Sequence, residues 1–245
     1  MCPGNIMSSK LSVRTNEIHL SDKISNLGLK TLHSMSLKKN KKSTENVNEA
    51  DDEIMSIISS EKYLGISTKD EADFISKCTE IKKVEKGTVL LKAGKIATSC
   101  YYVYKGCIRE YCLKDGEEIT TEFYTAGDSL SDDASKLNKS PSLLNWECMV
   151  DSIVSVFPFE VELEMYKRFP RLETLCRIET EKKFGDLKLA VNNYHSSTPE
   201  ERYENLLVTR PEIFELVPLY HIASYLGVKP ESLSRIRNRI RNADR

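Results

Sequence analysis

The sequence predicts an α+β chain, with an antiparallel β-barrel or sandwich first and helices from there to the end. Three observations carry this. Between Glu80 and Pro158, short strand-like segments follow one another, and most of them close at a glycine: Gly87, Gly94, Gly106, Gly116 and Gly127. Strands at such regular spacing, separated by turn residues, are the pattern of a small all-β domain. After Pro158 the apolar period becomes helical and includes one long run, Arg171–Tyr194. Finally, residues 216–241, "LVPLYHIASYLGVKPESLSRIRNRIR", read as two helices broken at Gly227 and restarted at Pro230.

The totals suit a soluble globular protein. The chain has 245 residues, a net charge of −1, 40% hydrophobic and 30% charged residues. That length accommodates one large domain or two modest ones. No apolar run reaches membrane-spanning length, and the N-terminus lacks a signal peptide's apolar middle segment. A cytoplasmic location is therefore expected. The seven cysteines are scattered, odd in number and include no C-x-x-C pair, which favours reduced thiols over disulfides, zinc or an iron–sulfur cluster. No metal site is expected.

Residues 1–48 are rich in Ser, Asn and Lys, contain "LKKNKKS", and lack a sustained apolar period. They predict a disordered or weakly ordered tail. Met35 and Met55 are alternative starts downstream. Residues 49–168 form the expected barrel domain. It opens with a short helix around Asp51–Ser60 and a second around Lys69–Cys78, N-capped by Thr68. The strand segments follow, and Lys114-Asp115-Gly116 reads as a tight hairpin turn. Cys107 and Cys112, five apart, would face opposite sides of a regular strand and read as buried, inert thiols, with redox sensing the alternative. A short helix spans Glu160–Arg168.

Residues 169–195 form the long helix, started after Pro170. Phe184, Leu187, Val191 and Tyr194 recur along it at 3-4-3 spacing. That stripe can pack on a partner helix or on the chain's own barrel. Residues 196–245 complete the helical end. Thr198-Pro199 supplies an N-cap and an N1 proline, and Glu201 can close a capping box.

In the C-terminal stretch, Gly227 suits the left-handed position after a helix. Ile222, Ala223 and Leu226 can pack against Leu233, Ile236 and Ile240. The second helix then presents Glu231, Ser234, Arg235, Asn238 and Arg239 on an exposed side. Arginine can donate twice to guanine, a carboxylate accepts from cytosine N4, and serine reaches a base or a phosphate. From Val228 onward there are six Lys/Arg against two acids. Local charge of this kind attracts phosphate despite the near-neutral total.

Taken in order, the glycine-punctuated barrel, the long helix and the motifs "KGCIREYCLKDGEE", "TPEERYENLLVTRPEIFELVP" and "IASYLGVKPESLSRIR" resemble the Crp/Fnr family of bacterial transcription regulators, and in particular its Bacteroidetes-type branch. The resemblance covers roughly residues 51–241. It implies a double-stranded β-helix barrel (a jelly roll of cyclic-nucleotide-binding type), a dimerisation helix and a C-terminal winged helix-turn-helix. The sequence ends at Arg245, so the wing is expected to be short or missing.

By the same resemblance, Glu231, Ser234 and Arg235 match the family's Glu-x-x-Ser-Arg base-reading pattern. Lys229, Asn238, Arg239 and Arg241 would meet the DNA backbone, and Phe184, Leu187, Val191 and Tyr194 would form the dimer seam. Promoter DNA with TGA-type half-sites and a second copy are the implied partners, with RNA polymerase a further candidate. The family's ligand cassette corresponds to the stretch after Gly127. There Ser131-Asp132 stands for Gly-Glu, and Pro141-Ser142 for Pro-Arg. Without the arginine a cyclic phosphate loses a charge-assisted contact, so cyclic AMP is not an expected ligand. The barrel holds another small effector or none, and no cofactor is expected.

An enzyme is disfavoured. No histidine falls between Glu80 and Pro158, so a metal-dependent barrel lacks its ligands. Neither G-x-S-x-G nor a P-loop occurs. The alternative to a regulator is a ligand-sensing barrel module that has lost specific DNA reading.

Overall fold

The computed structural model describes residues 68–243. These lie in one compact unit, Leu64–Arg245. The expected tail and the helix around Asp51–Ser60 lie outside the described residues.

Helix α1 (Lys69–Cys78) begins as expected. Thr68 accepts from the backbone N–H of Glu71, and the Glu71 side chain accepts from that of Thr68, so two orphan donors of the first turn are satisfied together. Glu71 is also buried against Arg171, whose guanidinium donates to it at 2.5 Å. This pair ties α1 to the start of the long helix.

Eight strands follow: β1 (Glu80–Val84), β2 (Val89–Leu91), β3 (Ser99–Lys105), β4 (Cys107–Lys114), β5 (Glu117–Thr125), β6 (Ser129–Leu130), β7 (Leu144–Cys148) and β8 (Ser152–Pro158). They form two four-stranded antiparallel sheets, ordered β1-β8-β3-β6 and β2-β7-β4-β5, which is the jelly-roll arrangement. Val103, Ile108, Leu130, Trp146, Cys148 and Val154 fill the space between the sheets. The β4–β5 hairpin turns at Asp115 and Gly116, both with positive φ (54° and 84°). These angles fit the two-residue turn whose twist matches the strands. Beyond it, β5 carries one extra residue opposite the Glu110/Tyr111 step of β4, a bulge.

Between β6 and β7 lies the short helix α2 (Asp133–Asn138). After β8 the chain makes a 3-10 turn (Phe159–Val161) and helix α3 (Glu162–Arg168), starting two residues later than the sequence suggests. Helix α4 (Pro170–Ser196) is 27 residues long, about 40 Å at 1.5 Å per residue. Then come α5 (Pro199–Thr209), α6 (Ile213–Leu216), α7 (Leu219–Tyr225) and α8 (Pro230–Ala243). The Thr198–Glu201 capping box forms as predicted. Among the described residues no strand follows α8, and the six cysteines are unpaired. No helix described is long and apolar enough to cross a membrane.

Candidate nucleic-acid interface

Helix α7 stops because the chain turns left-handed at Gly227, where φ is +71°. The N–H of Val228 donates to the carbonyl of Ala223, and that of Gly227 to Ser224. This pair of bonds is a Schellman closure, which satisfies the last carbonyls of a helix. The turn is also sterically closed, since a Cβ at Gly227 would collide with the Tyr194 hydroxyl. Helix α8 restarts at Pro230 with Glu231 in its first turn, where a carboxylate suits the helix dipole.

The two helices pack as the sequence predicts. Ile222, Ala223, Leu226, Leu233 and Ile236 are buried in one cluster, with Ile240 at its edge. Ala223 is fully buried, so a larger side chain there would push α8 away. With Leu233 and Ile236 inward, the opposite side of α8 is left to solvent. Glu231, Ser234, Arg235 and Asn238 are all exposed on it. Among the described residues Glu231, Arg235 and Lys229 make no ion pair. The Ser234 hydroxyl donates to the carbonyl of Pro230 at 3.1 Å. Arg239 pairs with Glu200 of α5 at 3.0 Å, and Arg241 donates to Asn238 at 3.3 Å.

Helix α4 is apolar on a side that the described chain leaves largely uncovered. Every residue from Arg177 to Ser196 is exposed, and Phe184, Leu187, Val191 and Tyr194 are 46–59% exposed. Tyr194 also has a local task. Arg202 stacks on its ring at 4.4 Å and donates to the carbonyls of Leu226 and Ser197. The end of α4, the start of α5 and the turn before α8 therefore meet at one guanidinium.

In the stretch expected to correspond to the family's ligand cassette, the polar groups bond one another. Gly127 makes the turn into it at φ +97°. Asp132 is 5% exposed, and its carboxylate accepts from the Ser135 N–H at 2.9 Å, capping α2. Ser142 is buried as well; its hydroxyl accepts from the N–H of Leu144 at 2.9 Å. Lys136 is held by Glu162 of α3. Deeper in the barrel the Glu110 carboxylate accepts from Trp146 Nε1 at 3.0 Å and from the Tyr124 hydroxyl at 3.2 Å. Burial, and then the neighbouring carboxylate, push the Tyr124 phenol far above its usual pKa. A separate cavity of about 280 Å³ opens between β2 and β3, with Lys92, Lys95, Tyr101 and Trp146 among its walls. Among the described residues no group of His, Cys, Asp and Glu could hold a metal ion.

Two residues with large structural parts were not singled out from sequence. Arg109 in "CIREYC" sits at a position that a half-exposed strand fills with any polar residue, yet it is 1% exposed. Arg210, after α5, donates to the Phe123 carbonyl at 2.6 Å and to Glu122 at 3.0 Å. Nothing in the local pattern marks either, because both bind partners distant in sequence.

Comparison with known proteins agrees with this architecture. Residues 81–169 match the family model described as the cyclic nucleotide-binding domain. No curated protein matches the chain significantly. Among solved structures, a Crp/Fnr-family transcriptional regulator from Eubacterium rectale is similar at 20% identity and a TM-score of 0.58, covering 72% of this chain and 84% of its own. FixK2 from Bradyrhizobium japonicum is similar at 17% identity and 0.57, covering 68% and 86%. The c-di-GMP-responsive global regulator CLP of Xanthomonas campestris is similar at 12% identity and 0.56, covering 72% and 93%. At these identities the likeness is one of fold. Residues 81–169 are thus a cyclic nucleotide-binding domain, carried in a chain that shares its fold with regulators of the Crp/Fnr family.

Proposed function

We propose that the protein is a sequence-specific DNA-binding transcription regulator, which reads a two-fold symmetric promoter site as a homodimer and does not respond to cyclic AMP. The observation that carries this reading is the free outer side of α8. Glu231, Ser234 and Arg235 stand there together, exposed, on a helix whose inner side is locked against α7. Residue types and placement suit the major groove, with Arg235 donating to guanine and Glu231 accepting from cytosine. Lys229, Asn238 and Arg241, exposed beside them, would meet backbone phosphates. Arg239 reaches phosphate once it leaves Glu200.

The homodimer rests on α4. A helix with an apolar stripe in solvent over about three turns is marginal by itself, and a second copy of the same stripe would cover it. The absence of a cyclic AMP response rests on the cassette. Asp132 and Ser142 are spent on local hydrogen bonds, no arginine lies between Gly127 and Trp146, and Glu110 places negative charge inside the barrel. A cyclic phosphate would meet repulsion rather than a partner. Any effector then belongs to another chemical class. RNA polymerase is a partner only if the protein activates.

Binding to duplex DNA across a salt series tests the reading. A site-specific complex that weakens steeply with salt is expected. Weak, sequence-blind binding would favour a barrel module that no longer reads DNA.

A further inference from the structure

The helical end is bonded to the barrel as well as tethered to it. Cys107, Phe123 and Met149 of the barrel share one buried cluster with Tyr203, Ile213, Val217 and Ile222. The Thr120 N–H of β5 donates to the Ser224 hydroxyl of α7 at 3.0 Å, and that hydroxyl donates on to the Glu118 carbonyl at 3.3 Å.

Two arginines flank this contact, one from each side. Arg109 of β4 donates to Glu118 at 2.7 Å and to Thr120 at 2.9 Å, stacks on Tyr111 at 4.2 Å, and lies 3.8 Å from Glu147. Its remaining reach is to His221 Nε2 of α7 at 3.5 Å. A guanidinium only donates, so the imidazole there accepts and is neutral. Arg210, from the helical side, bonds Glu122, the Phe123 carbonyl and Asp128 of the barrel. Arg109 is buried, and a charge that far out of water persists only when its geometry is closely satisfied; Arg210 is half-buried and adds a directional set of bonds, so the contact favours one relative orientation.

We infer that Arg109 and Arg210 are positioning residues, through which the β4–β5 hairpin sets the orientation of the α7–α8 reading unit. Strand β4 is suited to this. Arg109 points out to α7, while the next residue, Glu110, points in to Trp146. A change inside the barrel is felt one residue from the grip, opposite the bulge in β5. This route is separate from the α4 seam. It matters for a two-fold site because both reading helices must be aimed at once, whereas a single half-site needs only one.

The inference rests on the DNA-reading function proposed above, and the test separates the two. Arg210→Gln and Glu122→Gln are compared with the wild-type full chain by amide hydrogen exchange and by binding to a two-half-site duplex and a single half-site duplex. With the grip loosened, exchange in α7 rises about tenfold or more while β3 and β8 stay protected. Affinity for the double site falls about tenfold and affinity for the half-site holds. Unchanged α7 exchange in both variants, or an equal fall on both duplexes, would overturn the inference. If the wild-type chain selects no site at all, the DNA-reading proposal fails, and the exchange comparison still decides whether the grip holds the reading unit.

Discussion

The segment around α2 and helix α8 are both rich in polar side chains, and they treat them in opposite ways. In the cassette, Asp132 caps its own helix, Ser142 closes its own turn and Lys136 is paired with Glu162. In α8, Glu231 and Arg235 are left without partners among the described residues. A satisfied polar group has little to offer a ligand, whereas an unsatisfied, solvated one is available for exchange with a base edge. On the proposed function, α8 would be the output surface, and the region around α2 would offer a cyclic phosphate no free partner.

The largest test of that contrast lies between the two elements. Leu187→Glu puts a charge on the stripe of α4, and we expect loss of the dimer in sedimentation together with at least about a hundredfold loss on a two-half-site duplex. A variant that remains dimeric would remove α4 as the link. Next, Arg235→Ala should cost about 1–3 kcal/mol on the preferred site and relax the preference at one base pair. Equal losses on all sequences would place Arg235 on phosphate instead.

A pH effect follows from His221. Burial, and then Arg109, hold its pKa down to about 4 against an ordinary 6.5, with Glu118 opposing. A lowered folded pKa means that the unfolded chain takes up the proton first. The stabilisation is therefore complete above about pH 6.5 and is lost as pH falls from there toward 4. Thermal melts at pH 7 and pH 5 should differ by about 1–2 kcal/mol from this group, and less in His221→Gln. The smallest effects belong to the cassette. Asp132→Ala should cost about 1 kcal/mol as a lost cap without altering DNA affinity, and millimolar cyclic AMP should leave the melting temperature unmoved. A cyclic AMP-dependent rise would break the contrast at its input end.

What could be read from sequence was local. Thr68 announces its helix as an N-cap, Thr198 does so with a glutamate three residues on, Asp115-Gly116 announces its hairpin, and Gly227 with Pro230 announces the break between α7 and α8. Each signal acts within a few residues, so one segment suffices to see it. The α4 stripe was also visible, and the structure adds that Phe184, Leu187 and Val191 stand exposed while Arg202 stacks on Tyr194. The grip was not legible. Arg109 and His221 lie 112 positions apart, and an arginine in a half-polar strand looks the same whether it faces water or another domain. The tasks of Asp132 and Ser142 were half legible. Their mismatch with a phosphate site followed from residue type, but their use as cap and turn residues needed the backbone around them.

Selection of bound duplexes from a random pool decides whether α8 reads sequence. A two-fold symmetric consensus with TGA-type half-sites, centred about one helical turn apart, is expected with the purified protein and no cyclic AMP. Recovery of no consensus, or of a symmetric site only when cyclic AMP is added, would contradict the proposed function.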